Sequence, residues 1–148
     1  MQNKSYLVGI LLLLVSLITW QWAQAADPEP ETQHRLVIQV NKNDQDIQDH
    51  LLTNIVNLQK HYGMDNIEIE VVAYGPGIWL VTDQSKFKER VESLLMQNVV
   101  FTACGNTMDT IEAKEGKRPT LLDDVGTTQA GIARLIELQE KGYSYLSP

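Results

Sequence analysis

Residues 99–107 read VVFTACGNT. Val99 to Ala103 is apolar apart from Thr102, which suits a buried strand. Cys104 and Gly105 end it. Asn106 and Thr107 follow, and either side chain can accept a hydrogen bond from a free N–H of a helix's first turn. The stretch therefore predicts a strand that runs straight into a helix ending near Gly116, before Pro119.

The same alternation extends in both directions. Leu36 to Val40, LVIQV, reads as a first strand. Asp46 is placed to cap a helix with Ile47, Leu51, Ile55, Leu58 and Tyr62 on its inner face, and Gly63 is suited to end it. Ile67 to Tyr74 reads as a second strand, stopped by the turn Gly75-Pro76-Gly77. Asp83 is placed to cap a second helix with Phe87, Val91, Leu94 and Leu95 inward. A weak fourth strand falls within Leu121 to Thr127, broken by two aspartates. Thr128 to Lys141 reads as a helix with Ile132, Leu135, Ile136 and Leu138 inward, and Tyr143 to Leu146 as a last short strand. An aspartate at Ile132 is accordingly expected to cost several kcal/mol.

Strands alternating with helices predict an α/β fold: a three-layer sandwich, with a mainly parallel sheet of about five strands and helices on both faces. In such a sheet the strand-to-helix loops emerge at one edge, the carboxyl ends of the strands, and ligands bind in the crevice there. Candidate crevice residues are Asn41, Lys42, Tyr74, Gly75, Gly77, Gly105, Asn106 and Thr107, with Cys104 as the candidate reactive group. Trp79 reads chiefly as a packing residue.

Residues 1–25 carry the three-part pattern of a secretory signal: Lys4, an apolar stretch from Leu7 to Trp20, then Ala23-Gln24-Ala25. Cleavage is expected near Ala25, giving a periplasmic or secreted protein. The alternative is an anchor that is kept, though its apolar core is short for a span of roughly 20 residues. Residues 26–34 read as a flexible acidic segment and 35–148 as one domain. The formal charge of the 148-residue chain is −7, and losing Lys4 without any acid makes it −8. So acidic a chain is a poor nucleic-acid binder, since phosphate neutralisation needs clustered Lys and Arg. KEGKR at 114–118 reads as a solvated helix end.

The chain has one cysteine, so no internal disulfide can form and the thiol calls for another account. A helix start lowers a thiol's pKa, because free N–H groups and the helix dipole favour the thiolate, which is the nucleophile. Gly105 lets a bound group approach the backbone, and Lys42 is the best cation to add from another loop. The other account is that Cys104 is a small apolar filler at the end of a strand. His34, His50 and His61 show no metal spacing, GPG lacks the lysine and spacing of a phosphate-binding loop, and no serine has an obvious His/Asp partner. No metal site and no cofactor is expected.

Three segments, VVAYGPGIWLV at 71–81, NVVFTACGNTM at 98–108 and GIARLIELQEKGYSYLSP at 131–148, resemble small exported members of the DsrE/DsrF-like sulfur-relay superfamily. The likeness covers nearly the whole chain after the leader. It implies a compact α/β fold and a homo-oligomer, a trimer or hexamer. It also implies that the cysteine after the third strand carries sulfur as a persulfide, with Gly105 and Asn106 shaping its loop and Gly75 to Gly77 across the crevice. The function expected is a periplasmic persulfide carrier or sulfurtransferase-like protein. It would exchange sulfur with a thiol or sulfane-sulfur donor and acceptor, and have no stable membrane span once the leader is cut. The alternative is a non-catalytic small-ligand-binding or assembly module in which the cysteine is structural.

Overall fold

In the computed structural model, which describes residues 34–148, the central strands are formed by largely apolar runs. The expected signal and most of the acidic segment lie outside the described residues. The order is β1 (His34–Val40), α1 (Gln45–Tyr62), β2 (Ile67–Ala73), a 3-10 helix (Gly75–Val81), α2 (Lys88–Leu95), β3 (Val100–Cys104), α3 (Gly105–Glu115), β4 (Gly126–Thr128), α4 (Gly131–Glu140) and β5 (Ser144–Leu146). The strands form one sheet in the order β4-β3-β2-β1-β5. Every neighbouring pair is parallel. This is the expected α/β class, with helices on both faces. No helix among the described residues is long and apolar enough to cross a membrane.

The two faces are covered unequally. Ile38, Val40, Ile69, Val71, Ala73, Phe101 and Ala103 point to one face, where they meet Leu51, Leu52 and Ile55 of α1, Ile78, Leu80 and Val81 of the 3-10 helix, Val91 and Leu94 of α2, and Met108 of α3. Burying a side chain of this kind contributes about 1.5–3 kcal/mol, so this large cluster is the main core. The other face packs a smaller cluster, Val37 and Val72 under Leu135 and Leu138 of α4. Beside it lies a buried polar pin. Glu70, 4 % exposed, accepts from Thr102 Oγ1 at 2.7 Å and from Arg134 Nε at 2.9 Å and Nη2 at 2.7 Å. A carboxylate buried on a sheet face needs such partners, because it has left water. The pin ties α4 to β2 and β3.

Several local expectations need correction. Asp44, not Asp46, caps α1, its Oδ1 accepting from the Ile47 N–H at 3.0 Å. The buried side of α1 holds Leu51, Leu52, Ile55, Gln48 and Gln59, while Ile47, Leu58 and Tyr62 are only half-buried. Gly75-Pro76-Gly77 is not a simple turn but opens the 3-10 helix, with proline in its first turn where no N–H is needed. That helix delays α2, so Phe87 rather than Asp83 flanks its start. β4 is short and lies at the end of its expected range. α4 begins at Gly131 rather than Thr128.

The inner face of α4 also differs. Leu135 and Leu138 are buried, but Ile132 and Ile136 are 52 % and 53 % exposed. A lone helix on a sheet face buries one narrow stripe, and these two residues stand beside it. The several-kcal/mol cost expected for Ile132→Asp is therefore withdrawn, since exposed positions usually change stability by less than about 0.5 kcal/mol. The end of α3 is as expected: Gly116 sits at φ 73 and donates to the Glu112 carbonyl, a left-handed turn that glycine adopts without strain.

Candidate functional site

Cys104 is at once the last residue of β3 and the residue flanking the start of α3, with extended backbone at φ −79 and ψ 115. It is buried, 6 % exposed. Its surroundings are not purely aliphatic. The Gly131 N–H, the first of α4, lies 3.3 Å from Sγ. Two helices of the sheet's carboxyl edge therefore begin at one sulfur: α3 follows it in sequence, and α4 reaches it across the fold. Each brings free N–H groups and the positive end of a dipole.

These contacts set the thiol's acidity. Burial, the largest influence, pushes the Cys104 thiol up. Hydrogen bonds from the Thr107 hydroxyl, then from the N–H groups of Gly131, Thr107 and Asn106, pull it down and prevail, so the thiol lies below its ordinary value. Thr107 plays two parts: its Oγ1 accepts from the Gly75 N–H at 2.9 Å, which leaves its own proton for the sulfur. Lys42 is exposed and does not contribute. Its carbonyl accepts from Gln48 Nε2 at 3.0 Å. The Thr107 hydroxyl and backbone N–H groups, not a cation, favour the thiolate form here.

A link between β4 and α4 crosses the sulfur. The Gln129 carbonyl accepts from the Asn106 N–H at 2.9 Å and lies 3.8 Å from Sγ. The Gln129 side chain donates to Asn106 Oδ1 at 2.7 Å and to Asp109 Oδ2 at 3.2 Å. Asn106 thus uses its side-chain oxygen on Gln129 instead of capping α3, contrary to expectation.

The other expected crevice residues divide. Gly75, Asn106 and Thr107 line a cavity of about 550 Å3 at the carboxyl edge, together with Pro76, Trp79, Thr110, Ile111, Lys114 and Glu115. Trp79, read as packing, does pack on the core and also walls this cavity. Cys104 itself is not in the lining, and Thr107 stands between it and the opening. Gly77 serves packing, since a Cβ there would meet the Val40 carbonyl oxygen at 2.2 Å. Buried Gly105 sits against the Thr128 carbonyl. Asn41 and Tyr74 meet each other, Nδ2 to OH at 3.4 Å, and Tyr74 OH donates to Gln39 Oε1 at 2.7 Å. Gln39 Nε2 in turn holds Ser147 Oγ at 2.7 Å, so this chain of bonds anchors the tail. Gly131 and Gln129 escaped the sequence reading. Their only signal was the small and polar stretch TTQAG before the last helix. Among the described residues, no group of three or more His, Cys, Asp or Glu could hold a metal ion.

Comparison with known proteins adds lineage to this geometry. A sequence model of the DsrE/DsrF-like family matches residues 34–148. A solved structure of a protein of unknown function from Methanobacterium thermoautotrophicum is similar at 28 % identity and a TM-score of 0.70, covering 78 % of this chain and 99 % of that one. A conserved protein of unknown function from Bacteroides thetaiotaomicron shares the fold at 17 % identity and a TM-score of 0.57, covering 81 % and 99 %. No curated protein matches.

Proposed function

The chain belongs to the DsrE/DsrF-like family, and from that premise we propose that it is an exported sulfur-handling protein that carries sulfane sulfur on Cys104. The thiolate attacks the outer sulfur of a persulfide or polysulfide. The donor's S–S bond breaks as the new one forms, and the donor leaves as a thiolate or a shortened polysulfide. The same exchange, run toward an acceptor thiolate, returns Cys104. The chemistry needs neither metal nor cofactor.

The observation that supports this reading is the sulfur's polar cradle. Two helix starts and the Thr107 hydroxyl lower the thiol's pKa despite burial. A thiol used only as apolar filler needs no such donors, and burial alone raises its pKa. Incubating the protein with polysulfide and measuring intact mass tests the reading. Wild type gains about 32 Da, one persulfide sulfur, and Cys104→Ser gains nothing. A wild-type mass left unchanged under conditions that load a known carrier rejects it.

The 6 % exposure of Cys104 favours a second reading, a binding or assembly module in which the cysteine is structural. It predicts a thiol that resists alkylation until the protein unfolds, and a Cys104→Ser variant with full function in vivo. Under either reading we place the protein in the periplasm or outside the cell, following its leader-like N-terminus. We also take it as a homo-oligomer, with Ile132 and Ile136 of α4 as contact residues.

A further inference from the structure

The cavity beside Thr107 has features that sulfur transfer alone does not require. Its volume of about 550 Å3 lies within the roughly 300–1,000 Å3 of small-molecule sites. Pro76, Trp79 and Ile111 give it an apolar wall. At its far end stand Lys114 and Glu115, the last two residues of α3. Among the described residues neither joins an ion pair, while Arg118 nearby takes Asp109 and Glu112. An ammonium and a carboxylate left without ion-pair partners at one end of a cavity suit a zwitterion, which offers each the opposite charge.

The length of the cavity selects among zwitterions. From Thr107, which touches the sulfur's surroundings, to Lys114 the helix rises about 10 Å. A free cysteine holds its charges within about one residue length of its sulfur, roughly 3.5 Å, and cannot reach both ends. Polysulfide and thiosulfate have no apolar body and no ammonium. A peptide of two or three residues, extended at about 3.3–3.6 Å per residue, spans the distance.

We propose that this cavity binds a small peptide thiol, with its charged end at Lys114 and Glu115 and its sulfur at Thr107. In its persulfide form the ligand is the donor for Cys104, which it reaches when the Thr107 side chain turns aside. The donor step rests on the sulfur-handling reading, whereas the binding does not. In that step the Cys104 thiolate attacks the terminal sulfur of R–S–SH. The donor's S–S bond breaks, Cys104–S–SH forms, and the peptide leaves as R–S⁻. Charge and atoms balance without an added oxidant.

The test uses S-methylglutathione, which binds but cannot transfer sulfur, titrated into the full chain by calorimetry. The expected dissociation constant is about 1 mM or tighter, weakened about tenfold by Lys114→Glu and unchanged by Lys117→Glu, which carries the same charge change outside the lining. No saturable binding, or equal weakening by both variants, overturns the assignment. Loading by glutathione persulfide and by polysulfide is then compared by intact mass. Loading from polysulfide with no S-methylglutathione binding removes the peptide-thiol site and leaves the carrier reading. Binding of S-methylglutathione with no loading from either donor keeps the site and removes the carrier reading.

Discussion

The Gly131 N–H lies 3.3 Å from the sulfur of Cys104, although 27 residues separate them in the chain. This contact brings a second helix start to a sulfur that already flanks the start of α3. A single helix terminus contributes about 0.3–1 kcal/mol at an exposed site and up to about 2 where partly buried. Two termini and a hydroxyl acting on one thiolate are how the site overcomes a burial that pushes the other way.

The first prediction concerns pH. Iodoacetamide labelling of the folded protein should be slow, because Cys104 is covered, with its midpoint below that of the thiol in the unfolded chain. Thr107→Val removes the hydroxyl donor and should move that midpoint upward. Because the folded thiol is the stronger acid, the fold binds fewer protons than the unfolded chain between the two pKa values. The resulting stabilisation is fully present above the unfolded value and is lost as pH falls through the folded one. Urea melts of wild type against Cys104→Ser across that window should show a difference that grows as pH rises. A constant difference would remove the depressed thiol.

Gly131→Ala should be destabilising. Its Cβ would lie 3.2 Å from the Cβ atoms of both Cys104 and Tyr74 and 3.5 Å from Val72 Cγ1. Overpacking of this kind costs about 1–3 kcal/mol, read as a lower urea midpoint. The helix start must move to relieve it, so the labelling midpoint should rise as well. A variant with lower stability but an unmoved labelling midpoint would show that the Gly131 N–H does not act on the sulfur.

Arg134→Ala leaves Glu70 buried with only Thr102 as partner. Breaking a buried pair typically costs about 3–5 kcal/mol, and Arg134 is part-exposed, with 28 % of its side chain accessible, so a value at or below the lower end is expected. In the separated protomer, at concentrations too low for self-association, Ile132→Asp, two residues earlier on the same helix, should change stability by less than about 0.5 kcal/mol. Chemical denaturation of both variants checks the orientation of α4, and the reverse ranking would show the helix turned on the sheet.

Light scattering tests self-association. The wild-type protein should run as a trimer or hexamer, and Ile136→Lys, which places a charge at an exposed apolar position of α4, should shift it toward monomer without lowering secondary structure. A wild type that is monomeric at all concentrations would leave Ile132 and Ile136 without that role.

The alternation of strands and helices, the parallel sheet and the place of Cys104 at its carboxyl edge could be read from the sequence alone. These follow from short-range periodicity and from a strand that ends at Cys104-Gly105, features a chain carries locally. Which residues complete the site was decided only in three dimensions. The sheet order sets β4 beside β3, so the turn after Thr128 carries Gln129 and Gly131 over the sulfur. The same packing turns Leu135 inward and Ile132 outward and pairs Glu70 with Arg134, 64 residues apart. Spacing along one helix identifies an apolar side but not how wide a stripe its neighbours cover. Burial and hydrogen bonding at this cysteine depend on segments that meet only when the sheet is assembled.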